Sequence, residues 1–219
     1  MSLINNSDAT NAQKQSQQVP DGNDREYSKK SLWLYLPAAA VLFIISLVAG
    51  LRVSPELASN VLEELKIALE PLAESLDPLI LLPIIFLNNA IKALGAIVLG
   101  IVLGLPPLFF VVANGFMIGV VIIALKSSLG YGVIAASMVP HGIIEIPILL
   151  LASALGLRIG YQSLRYLIRQ KSSVKAQLRQ GMKIYLKWIL ASLFVAALVE
   201  VFITPLFILL AGGKELFMK

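Results

Sequence analysis

Hydrophobic positions along this chain come in long unbroken runs, separated by short polar stretches. Five runs stand out, at residues 32–51, 79–103, 108–125, 132–157 and 184–210. Each is close to the roughly 20 apolar residues that an α-helix needs to cross a hydrocarbon core of about 30 Å. The pattern therefore predicts an all-α fold, a polytopic bundle of about five transmembrane helices. Residues 54–77 follow a different rule. Ser54 and Pro55 form a helix start, with a capping residue and a proline at the first helical position. Leu57, Val61, Leu65, Ala68, Leu72 and Leu76 then recur every three or four residues, with Glu63, Lys66, Glu70 and Glu74 on the opposite side. This spacing predicts an amphipathic helix, kinked near Pro71, on the outer membrane face or capping the spans.

The polar interruptions refine the spans. Pro83, Asn88, Asn89 and Lys92 break the second run, so its first part reads as a re-entrant or broken helix. Pro106 and Pro107 read as an uncharged turn before the third run, and 126–131 as a short polar connection. Residues 1–30 are rich in Asn, Gln, Ser and Asp and are expected to form a disordered tail. No secretory signal is expected, because the first apolar run starts late and runs long. The membrane domain is expected over 31–212, with 213–219 as a C-terminal tail.

Composition agrees: 58% of residues are apolar and 14% charged, against about a quarter charged in soluble domains. The chain has no Cys, which excludes disulfides, thiolate metal ligands and a cysteine nucleophile. Its net charge of +5 does not point to nucleic acid, because the positive excess lies between the spans. From Arg158 to Lys187 there are eight Lys or Arg and no acid, which assigns residues 158–187 to the cytoplasmic side. Lys29 and Lys30 place the N-terminus on that side too. Five crossings then put residues 52–78, 126–131 and the C-terminus outside. Arg158, Arg165, Arg169, Lys171, Lys175, Arg179 and Lys183 form a basic segment suited to anionic headgroups, or to setting orientation alone.

The candidate site consists of polar side chains inside the spans: Asn88, Asn89, His141, Glu145 and Glu200. An ionised acid at mid-span costs roughly 2.5–3.5 kcal/mol, so each should face protein or water. His141 and Glu145 are four residues apart and share a helix face. Glu200, on another span, is expected within reach of them, forming a cluster in the outer half of the membrane. Several uses stay open: hydrogen bonds that lock helices together, a proton or ion pathway, a metal site, intramembrane catalysis, or a surface for lipid or a partner protein. Catalysis lacks support, since the second His of a metalloprotease helix is missing. No catalytic residue and no cofactor is assigned, and the metal remains unknown.

The ordered motifs resemble the stage II sporulation protein M family. They are Asn88-Asn89, Asn114-Gly115, the run Pro140-His141-Gly142-Ile143-Ile144-Glu145-Ile146-Pro147, then Gly156-Leu157-Arg158, and Glu200-Val201-Phe202-Ile203-Thr204-Pro205, together covering about residues 32–210. The resemblance implies a non-enzymatic membrane scaffold or regulator of a cell-envelope complex; its namesake recruits partners that remodel peptidoglycan. The alternative is a transporter or channel that uses the polar cluster to pass protons, ions or a small solute. Expected partners are the lipid bilayer, membrane or envelope proteins and a second copy of the chain, with no nucleic acid. The expected location is the cell membrane, as a multi-pass protein.

Overall fold

A computed structural model describes the chain over residues 22–73, 77–170 and 172–213. The described residues are almost entirely helical, with no strand among them. Helix α1 is Gly22–Gly50, α2 is Pro55–Ala73 and α3 is Pro78–Val98, extended by a 3-10 turn at Leu99–Ile101. Helix α4, Leu105–Leu167, follows. Next come α5 (Val174–Ile184), α6 (Leu190–Leu198) and α7 (Thr204–Leu210), joined without a break by π-helical turns at Tyr185–Ile189 and Val199–Ile203. Four helical stretches are long and apolar enough to cross a membrane: Leu32–Gly50, Pro78–Ile101, Leu105–Leu167 and Val174–Leu210. At 63 residues α4 is far too long for one crossing, since about 20 suffice. Gly130 divides it: its φ of 72° and ψ of 160° leave helical space, a conformation that glycine adopts without Cβ strain. The two limbs, 105–129 and 131–167, are each long enough to span.

Several expected boundaries are corrected. The supposed break at Pro83 is an unbroken helix. This proline lies in the second turn of α3, where it removes a single backbone bond. Pro106 and Pro107 belong to the first turn of α4, where a missing N–H costs nothing. The actual turn is made by Leu103 (φ 53°) and Gly104 (φ 76°). The polar connection at 126–131 shrinks to Gly130. The first half of the basic segment, expected beyond the end of the run at 157, continues the second limb of α4 to Leu167. Helix α1 begins at Gly22, inside the expected tail; the tail's first 21 residues, Glu74, Leu76, Lys171 and the C-terminal residues from 214 onward lie outside the described residues.

Asp77 caps α3, its carboxylate accepting from the Leu79 N–H at 3.0 Å. The core mixes alanines with large aliphatic side chains. Ala90, Ala93, Ala96 and Ile97 of α3 meet Ala152, Leu155 and Ile159 of α4 and Tyr185, Ile189 and Leu193 of the last helical stretch. Phe86 and Phe194 add an edge-to-face pair at 5.6 Å between centroids. Without a hydrophobic drive between helices in lipid, such close backbone approach supplies the packing energy. Tyr185 Oη donates to the Ala90 carbonyl at 3.0 Å.

The contacts also set helix directions. Gly115 faces Phe43 and Ser46 while Gly119 faces Leu47 and Leu51, so α1 runs parallel to the first limb of α4. Asn89 meets Glu145 and Ala96 meets Gly156, so α3 runs parallel to the second limb. Arg158 reaches Gln180, and Thr204 reaches His141, so the last helical stretch runs antiparallel to that limb.

Candidate functional site

His141 and Glu145 project from one face of the second limb of α4, four residues apart as a shared helix face requires. Glu200 enters from the last helical stretch, within the π-turn Val199–Ile203. In that turn the Thr204 N–H bonds back to the Val199 carbonyl, five residues away instead of four. A π-turn inserts one extra residue and re-aims the side chains beside it, a device frequent at functional sites. Pro205 follows and supplies no N–H, which loosens the same turn further.

The ligating atoms of His141, Glu145 and Glu200 all lie within 4.8 Å of one another, and all three residues are half-buried. Around them stand three more polar groups. The Asn89 side chain, 7% exposed, donates a hydrogen bond to the Glu145 carboxylate. Thr204 Oγ1 lies 3.5 Å from His141 Nδ1 and donates to the Val199 carbonyl at 3.2 Å. Lys92 supplies a favourable charge to both carboxylates. Two carboxyl groups and an imidazole thus meet, with the Asn89 amide against one of them, the four groups drawn from three helical stretches.

A cavity of about 50 Å³ opens beside the cluster. Phe43 of α1, Phe110 and Asn114 of the first limb, and Glu145, Leu149 and Ser153 of the second limb line it. Asn114 Nδ2 donates to the Phe110 carbonyl at 2.7 Å. Ser153 is fully buried, and its hydroxyl has no hydrogen-bond partner among the described residues.

The structure brings together four of the five expected site residues and separates the fifth. Asn88 is exposed while Asn89 is buried, because adjacent residues on a helix point about 100° apart. Three participants lay outside the expected set. Lys92 follows Asn89 by three residues, which helical spacing reveals. Thr204 and Ser153 are visible only once the helices pack. The basic segment is also corrected. Arg158 is 1% exposed and turns inward, its guanidinium donating to Gln180 Oε1 at 3.4 Å. It is not placed for a headgroup contact. Arg169, Lys175, Arg179 and Lys183 are exposed and Arg165 partly so, whereas Lys171 is not described.

Among known proteins, the family model of stage II sporulation protein M matches residues 39–205. An uncharacterized protein of Methanocaldococcus jannaschii is 34% identical over 124 residues, covering 54% of this chain and 68% of the relative. No solved structure matches. The matched segment contains α2, α3 and α4 whole, with every residue of the polar cluster, and it takes in most of the chain. The chain therefore belongs to the stage II sporulation protein M family.

Proposed function

We propose that this protein passes a small inorganic cation through its helix bundle, with Asn89, His141, Glu145 and Glu200 as the binding point. The observation that carries this reading is the convergence of two carboxylates and an imidazole within 4.8 Å inside otherwise apolar helices. Ionisable groups in spans are costly, and they tend to mark pathways. A purely structural lock could be built from amides and hydroxyls alone, without two carboxyl groups and an imidazole side by side. The adjoining cavity of about 50 Å³ has room for water or one ion beside Glu145.

Five crossings fit this role, with the N-terminus and the segment 158–187 cytoplasmic and the C-terminus outside. The crossing count has directional support: α1 parallels the first limb of α4, α3 parallels the second, and the last helical stretch opposes the second. That is the alternation five successive crossings require; the assignment of sides rests on the basic residues alone. The test is flux in proteoliposomes loaded with ion-sensitive dyes, with Na⁺, K⁺, Mn²⁺ and Zn²⁺ each driven by a gradient. Wild-type protein should pass at least one ion and Glu145→Gln should pass it at least tenfold more slowly, about 1.4 kcal/mol. Absence of flux for all four ions would refute the reading. A scaffold role has the family match in its favour; it predicts stoichiometric protein partners on purification and the same partners for Glu145→Gln.

A further inference from the structure

We infer that His141, Glu145 and Glu200 bind one divalent first-row transition-metal ion through an imidazole nitrogen and two carboxylate oxygens. The inference rests on the cation reading of this cluster and names the cation.

Donor chemistry comes first. An all-oxygen set suits Mg²⁺ or Ca²⁺, whereas imidazole with carboxylates shifts preference towards Mn²⁺, Fe²⁺, Co²⁺ and Zn²⁺. Alkali ions gain nothing from the nitrogen. Ligands about 2.0–2.2 Å from a metal stand roughly 3–4 Å from one another. The observed separations, all within 4.8 Å, need about an ångström of closure. Charge agrees: one divalent ion neutralises both carboxylates together, a balance strongly favoured where the surroundings are apolar.

The neighbours prepare the imidazole. Thr204 Oγ1 spends its proton on the Val199 carbonyl at 3.2 Å, so towards His141 Nδ1, 3.5 Å away, it can only accept. With Nδ1 protonated, that contact holds the ring and leaves the Nε2 lone pair for a ligand. Outer-shell partners of metal-bound histidines commonly act in this way. Asn89 orients the Glu145 carboxylate from the other side.

An independent observation points to a hydrated approach. The Ser153 hydroxyl is fully buried with no hydrogen-bond partner among the described residues, and Ser153 lines the same cavity as Glu145 and Asn114. A cavity of about 50 Å³ exceeds the roughly 10–15 Å³ that one water requires. Water reaching Glu145 by this route would complete the coordination that three protein ligands leave open.

The experiment uses the full chain, without a polyhistidine tag, in nanodiscs. His141 is the one histidine of the chain, so its ring ¹⁵N resonances report on the site without any substitution. One equivalent of Zn²⁺ should shift them, and Co²⁺ should give visible d–d absorption that saturates at one ion per chain. Glu145→Gln and Glu200→Gln should each weaken Co²⁺ binding at least tenfold. Thr204→Val should weaken it about tenfold, and Thr204→Ser should restore it. Wild-type resonances unmoved by millimolar Zn²⁺, or equal Co²⁺ affinity in wild type and Glu145→Gln, would overturn the inference. Flux of Na⁺ or K⁺ without Co²⁺ binding would overturn it and leave the passage reading intact. Stoichiometric Co²⁺ binding without flux would support it and refute passage.

Discussion

Gly156→Ala should damage both the stability and the site of this protein, although it adds one methyl group far from the polar cluster. A Cβ at Gly156 would run into the Ala96 carbonyl oxygen, with the Ala96 carbonyl carbon and Pro107 Cβ at 3.0 Å. The obstacles are largely backbone, so a side-chain rotation cannot relieve the contact. The helices must open by about an ångström to regain ordinary separation. Gly100, one turn beyond Ala96 on the same helical stretch, faces Gly156 just as tightly, which leaves α3 little room to slide. Overpacking of this kind costs about 1–3 kcal/mol. The opening is also transmitted. Ala96 lies seven residues after Asn89 and Gly156 eleven after Glu145, two and three helical turns, so each pair shares a face. Moving α3 away at Ala96 therefore stretches the Asn89–Glu145 hydrogen bond.

The control is Gly95→Ala. An added Cβ there meets nothing within 4 Å, so the better helix propensity of Ala should stabilise by about 0.5–1 kcal/mol. Denaturant titration in mixed micelles, followed by helicity and by Trp emission, measures both variants. Equal stability of Gly156→Ala and Gly95→Ala would refute the argument that backbone contact holds these helices.

Single cysteines at Ser59 and Ser172 should label from opposite sides of the membrane, a test that the absence of native Cys makes clean; labelling from one side would exclude five crossings. Tyr185→Phe should lose about 1 kcal/mol of stability in the same titration, since the buried hydroxyl donates to the Ala90 carbonyl at 3.0 Å. Neutralising exposed Arg169, Lys175, Arg179 or Lys183 should weaken anionic-lipid dependence roughly fivefold each, read by vesicle titration at low salt. Arg158→Gln should leave that dependence unchanged, because Arg158 is buried against Gln180.

The sequence by itself determined that this is a helical membrane protein and which of its polar residues are anomalous. Apolar runs of about 20 residues have one solution in lipid, and backbone satisfaction demands that it be helical. The four-residue spacing of His141 and Glu145 is local, so their shared face was legible too. Helix ends were less so. Proline reads as a breaker, yet Pro106 and Pro107 lie in the first turn of α4, where the lost N–H matters little, and Pro83 in the second turn of α3 removes one bond without ending the helix. Only the tertiary structure decided which residues meet across helices. Asn88 and Asn89 are equivalent in the chain, and packing buries one and exposes the other. Glu200 and Thr204 join His141 through a π-turn that no apolar periodicity announces. Arg158 reads as one more cytoplasmic charge, but the contact faces of α4 and α5 turn it inward. The common reason is that hydropathy records a residue's solvent, whereas a site depends on rotation and depth. Those are set by glycine contacts such as Gly100 on Gly156, and they exist only once the helices have packed.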